Sequence, residues 1–177
     1  MISIIKRIKN IIECNDCIDV DSAMMMALHN RLKNNDFSKI GGVFARRRWN
    51  KLSIKYGCFI PSKCSIGSDI IFPHGLFGIF ISQDAVIGNH CCIFQHVTIG
   101  SNLLEDSSTK GAPQIGDNVY IGTGAKIIGK CKVGNNVRIG ANAVITKDIP
   151  DNVTVVGNGV RTIEHEEVLN NCFVPHQ

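Results

Sequence analysis

An all-β architecture, a parallel β-helix of six-residue repeats behind a short α-helical segment, is what three features of this sequence predict. An apolar residue returns every six positions from residue 60 onward. Glycine repeatedly follows it. The core must also be aliphatic, because hydrophobic residues make up 44% of the 177-residue chain while aromatic ones make up only 6%.

The apolar series runs Ile60, Ile66, Phe72, then Ile81, Ile87, Ile93, Ile99, then Ile115, Ile121, Ile127, Val133, Ile139 and Ile145. Gly67, Gly88, Gly100, Gly116, Gly122, Gly134 and Gly140 follow seven of these anchors. Four residues after an anchor comes a small or apolar residue, as at Cys64, Ala85, Cys91, Val97, Val119, Ala125, Cys131, Val137 and Ala143. A period of six matches neither a helix nor an alternating strand. It matches a coil of three short flat faces whose anchors point inward and whose corners need unusual dihedrals. Coils then stack about 4.8 Å apart and hydrogen-bond to one another, so that stability is close to a sum of neighbour contacts.

Taken in order, residues 1–56 read as a helical segment, 57–163 as the coil and 164–177 as a tail. Ile4, Ile5, Ile8, Ile11 and Ile12 share one helical stripe opposite Lys6, Arg7, Lys9 and Asn10. That stripe suits docking to the coil end or lying on a membrane surface. Asp21 and Ser22 are placed to cap a second helix over Ala23–Leu32. A third, basic stretch, Phe44–Tyr56, leads into the coil, and these helices cover strand edges that would otherwise be unpaired. Its run Ala45–Lys51 suits a solvated helix face, or an anionic lipid, glycan phosphate or nucleotide.

The coil register breaks twice. Three extra residues fall within PHGLFG (73–78), and ten within a loop at 101–114 that includes EDSSTKGAPQ (105–114). Corner insertions cost little closure entropy, and such loops are where function concentrates. If the first insertion bulges at a corner, the Phe72 hexapeptide stacks on the Ile93 hexapeptide. His74 then lies beside Gln95 and His96, where a second imidazole orients an acceptor, holds developing charge or faces solvent.

The net charge of +4 is mild, enough to favour an anionic ligand but no footprint for nucleic acid. No apolar run is long enough to span a membrane, and Met1–Asn10 lacks the apolar middle of an export signal, so a cytoplasmic protein without membrane insertion is expected. The eight cysteines then read as reduced thiols, with Cys64, Cys91 and Cys131 at small interior positions. Cys14 and Cys17 have the spacing of half a zinc site without a second pair.

The segments IGSDIIFPHGLFGIFISQDAVIGNHCCIFQHVTIG (66–100) and IGDNVYIGTGAKIIGKCKVGNNVRIGANAVITKDIPDN (115–152) resemble the serine acetyltransferase branch of hexapeptide acyltransferases. They resemble still more the short capsule and exopolysaccharide O-acetyltransferases of that branch. The resemblance implies a left-handed coil, acetyl-CoA as co-substrate, no metal, and a homotrimer with shared sites. It also implies that His74 is the base that takes the acceptor hydroxyl's proton, chemistry that suits an imidazole titrating near neutrality. His96 is the second catalytic candidate.

For the cofactor, the resemblance places pantetheine along a groove between two subunits, at Thr123, Ala141, Thr146 and Lys147. Lys147 and Arg161 are candidates for the CoA phosphates. The serine enzymes carry an aspartate fifteen residues before the histidine, where this chain has Phe59, and a second histidine at a loop end that is here Gly111-Ala112-Pro113-Gln114. Asp69, Asp84, a backbone carbonyl and His96 are open as groups that orient His74.

The expected function is therefore acetyl transfer to a sugar hydroxyl in a surface-polysaccharide precursor, with loop 101–114 of a neighbouring subunit closing over the site. The alternatives are L-serine as acceptor and a non-catalytic trimeric scaffold. A zinc site would need His74, His90 and His96 together.

Overall fold

The computed structural model describes residues 20–34, 36, 39–157 and 161–167. The expectations for Ile2–Ile12, for the Cys14–Cys17 pair and for the tail beyond residue 167 lie outside the described residues.

Two helices precede the coil, α1 (Val20–Lys33) and α2 (Lys39–Tyr56). The second is longer than the stretch expected from Phe44, because Gly41 and Gly42 weaken a helix without breaking it. Ala45, Trp49, Leu52 and Tyr56 recur on its buried face, and the last three pack with Met25 and the first coils. Asp21 and Ser22 do not stand before a helix as caps. They lie in the first turn of α1, where Ser22 is buried and the Asp21 carboxylate accepts from Tyr56 Oη at 2.9 Å and from Lys55 Nζ. Hydrogen bonds from Lys55 and Tyr56 hold that carboxyl below its ordinary range and tie α1 to the end of α2.

The coil is a three-faced prism of parallel strands. Face one holds β2 (Phe80–Ile81), β5 (Thr98–Gly100), β8 (Lys126–Ile128) and β11 (Val144–Ile145). Face two holds β1 (Ser65–Ile66), β3 (Val86–Ile87), β6 (Gln114–Ile115) and β9 (Lys132–Val133). Face three holds β4 (Cys92–Ile93), β7 (Tyr120–Ile121), β10 (Arg138–Ile139) and β12 (Val153–Val156), and antiparallel β13 (Arg161–Glu164) closes its edge.

Of the thirteen anchors, all are buried except Ile66, which is half-buried at the first coil. The small residues four positions on, from Cys64 to Ala143, are buried as well. Burial pushes the Cys64, Cys91 and Cys131 thiols up to about 11, so they serve as compact apolar filling.

Where face two meets face three, side chains ladder from coil to coil. Asp117 Oδ1 accepts from the Asn89 amide at 2.6 Å, Asn135 Oδ1 from the Asp117 amide at 2.8 Å, and Asp151 Oδ1 from the Asn135 amide at 2.7 Å. These bonds satisfy corner amides that the strands leave unpaired. The glycine column beside them has a steric cause, since a Cβ on Gly88 would sit 2.5 Å from Gly116 O.

Candidate active site

The edge where face three turns into face one carries the expected chemistry. The chain crosses it at 73–78, 94–97, 122–125 and 140–143. A regular coil has 18 residues, and the bulge lengthens the first one to 21, so Ile71 pairs with Cys92. That is the stacking the register break implied. It brings His74 level with Gln95, and His74 Nδ1 lies 2.7 Å from Gln95 Oε1.

The His74 ring is exposed and meets Phe94 edge-on, with centroids 5.3 Å apart and planes at 90°. Phe94 in turn leans on Tyr120 at 5.0 Å. Asp69 and Asp84, both open as partners of His74 at the level of sequence, point elsewhere. Asp69 faces His90 at 3.6 Å across the edge between faces two and three. Asp84 sits exposed on the edge between faces one and two. The partner of Nδ1 is the amide of Gln95.

His96 occupies a left-handed corner with φ 61°, in a column with Gly78, Gly124 and Asn142, all at positive φ. Its ring lies over Gly78, where any Cβ would run into Nδ1. Its amide donates to Phe77 O at 2.8 Å, and its carbonyl accepts from Lys126 Nζ at 3.1 Å. The same ammonium donates to Gly124 O at 2.7 Å, so Lys126 clamps this corner.

His74, Gln95 and His96 line one open cleft of about 440 Å³ together with Tyr56, Gly57, Phe77 and Gly78. Tyr56 and Phe77 meet edge-on at 4.8 Å, so the end of α2 and the tip of the bulge form one wall. Phe77 lies inside the register break and Tyr56 ends α2, and the six-residue pattern singles out neither. No lysine, arginine or carboxylate is among the described residues of this lining.

The expected cofactor residues divide between two edges. Thr123 and Ala141 lie on the cleft's own edge, and the Thr123 hydroxyl donates to Gln95 O at 3.2 Å. Thr146 and Lys147 are exposed on the neighbouring edge, between faces one and two. That edge also carries the loop 101–113, pinned at its base by an antiparallel bridge between Asn102 and Gly111. Arg161 opens β13, and the expectation for its side chain lies outside the described residues. Along the cleft's edge Thr123 and Gly140 are half-buried and Ala141 is exposed, while Gly122 and Gly124 are buried between coils. His90 lies on a different edge from His74 and His96, so the structure does not gather the three imidazoles of the zinc reading.

Residues 112–147 match the family model described as bacterial transferase hexapeptide (six repeats). The serine acetyltransferase of Synechococcus elongatus is 41% identical over 107 residues, which is 60% of this chain and 43% of that protein. A serine acetyltransferase of Neisseria gonorrhoeae superposes with TM-score 0.68 and 28% identity, covering 85% of this chain and 55% of that one. A serine acetyltransferase in complex with CoA superposes with TM-score 0.63 and 29% identity, over 78% of this chain and 54% of that one. The chain thus spans less than half the length of the relatives it matches in sequence. The fold is the all-β left-handed parallel β-helix expected from the sequence.

Proposed function

From the premise that this chain is a member of the hexapeptide-repeat acyltransferase superfamily, in its serine acetyltransferase-like branch, we propose that it transfers acetyl from acetyl-CoA to a hydroxyl, with His74 as general base. The observation that carries this is the placement of an exposed His74 in an open cleft, on the edge that also carries the half-buried Thr123 and the exposed Ala141.

The thioester supplies an acetyl carbonyl already activated for attack. His74 Nε2 takes the hydroxyl proton as the acceptor oxygen bonds to that carbonyl carbon. The carbon–sulfur bond then breaks and the proton passes to sulfur, leaving an ester and free CoA thiol. His96 lines the same cleft and stabilises charge on the carbonyl oxygen through its ring. Lys147 meets the phosphates of CoA as a charge-assisted donor.

A single groove can draw on both Thr123–Ala141 and Thr146–Lys147 when two neighbouring subunits supply one edge each, which supports a homotrimer. On face one, between these edges, the column Phe59, Phe80, Thr98, Lys126 and Val144 exposes three apolar side chains, Phe59, Phe80 and Val144, that suit burial against a neighbour.

For the acceptor, the names of the relatives favour L-serine over the surface-polysaccharide sugar expected from the sequence. The glycan reading keeps one specific support. The cleft's described lining has no ionic side chain to hold an amino acid's ammonium and carboxylate, and Phe59 and Ala112 stand where the serine enzymes carry an aspartate and a histidine.

Release of CoA thiol from acetyl-CoA, measured with L-serine and with a panel of sugars, separates these readings. His74→Ala is expected to lower kcat with the preferred acceptor by about 100-fold or more. Undiminished turnover in that variant would leave only a scaffold or a different base.

A further inference from the structure

We propose that Gln95 is the positioning residue of the His74 base, a neutral amide standing where a histidine–carboxylate pair would have its acid. The inference rests on the reading of His74 as base, and it concerns how the ring is held.

The geometry leaves Gln95 little freedom. Its side-chain Oε1 lies 2.7 Å from His74 Nδ1. Its main-chain carbonyl accepts from Thr123 Oγ1 at 3.2 Å and from the Gly124 amide at 3.0 Å, both on the next coil. The backbone is therefore fixed from one side while the amide reaches to the other, bridging three successive coils.

A carbonyl oxygen only accepts, so the hydrogen on this contact belongs to Nδ1. With Nδ1 protonated, Nε2 of the neutral ring keeps its lone pair and is the nitrogen able to take a proton. A flip of the ring about its Cβ–Cγ bond would set a carbon against Gln95 and lose this hydrogen bond, while Phe94 meets the ring edge-on at 5.3 Å and limits its tilt. Gln95 thus does for tautomer and orientation what a carboxylate does, without adding a negative charge to stabilise the imidazolium.

Nothing else among the described residues fills that role. Phe59 turns its side chain out of face one, and Asp69 and Asp84 lie on other edges. The nearest carboxylate to the cleft wall, Asp21, is held by Tyr56 and Lys55.

Ring-nitrogen NMR of ¹⁵N-histidine-labelled protein tests this directly, with the His74 signal identified by its loss in His74→Ala. Wild-type His74 is expected in the Nδ1–H form at a pH where the ring is neutral. Gln95→Leu is expected to shift it toward the Nε2–H form favoured by free imidazole side chains, and to lower kcat/KM by roughly 10- to 100-fold, part of what a positioned base supplies. Gln95→Glu adds the missing charge, so the acid limb of the kcat/KM profile is expected to move up by roughly one pH unit.

Gln95→Asn, which keeps an amide too short to reach Nδ1, is expected to lose the tautomer preference too, and it carries the test should Gln95→Leu not fold. An unchanged His74 tautomer in the Leu or Asn variant, or an unmoved acid limb in the Glu variant, would overturn the inference. Because the NMR readout needs no turnover, failure of the pairing is distinguishable from failure of His74 as base, which appears as full activity in His74→Ala.

Discussion

Gly78 and His96 show how a single corner residue can be fixed by its neighbour in the next coil. Gly78 sits at φ 63° directly beneath the His96 ring, and His96 itself holds φ 61°. A non-glycine residue in this region costs about 1 kcal/mol or more, a strain that a plain structural corner would avoid by using the glycine or asparagine found elsewhere in the column. Gly78→Ala combines that dihedral cost with a collision against Nδ1, for a total destabilisation of about 2–4 kcal/mol. Adding His96→Ala to that variant removes the collision and leaves only the dihedral part. Equilibrium unfolding of the two single variants and the double variant checks this, and an unchanged midpoint in Gly78→Ala would contradict it.

Within and between elements, the junction of α1 with the coil carries a titratable group that the repeat pattern could not reveal. His29 is fully buried, with Nε2 3.5 Å from Cys64 Sγ and its ring 5.9 Å from that of Trp49. Burial, helped slightly by Lys33, lowers its proton affinity below the ordinary 6.5. The unfolded chain therefore binds a proton near 6.5 while the folded chain resists it. The stability this imidazole contributes is present above that value and is lost as pH falls through the lowered one. Asp21, also lowered, acts in the same sense but below the ordinary carboxylate value of 3.8. Urea midpoints at pH 7.5 and 5.5 are expected to fall with acid in the wild type and to fall less in His29→Phe. An equal fall in both would show that His29 is not the sensor. The contrast with the coil explains what could be read in advance. Anchors repeat every six residues, so their burial follows from periodicity, and arithmetic on the three-residue bulge places His74 opposite Gln95. His29 has no such repeat. Which neighbour binds Nδ1 also depends on side-chain rotamers, so the sequence offers Asp69, Asp84, His96 and a carbonyl for that role and does not single out Gln95, which the structure places there.

At the scale of the whole molecule, the division of expected cofactor residues between two edges is a consequence of the coil's own geometry. Each turn of the chain passes every edge once, so Ala141 and Thr146, only a few residues apart, face different sides of the prism. One subunit cannot wrap a slender ligand with both, whereas two subunits packed along face one can. The most direct measurement of the account is therefore a structure of the protein with CoA bound. The expected result is a trimer with pantetheine lying between two subunits, its sulfur within about 4 Å of His74 Nε2, close to the separation of a reacting pair. CoA bound on a single subunit away from this edge, or a sulfur out of reach of His74, would contradict it.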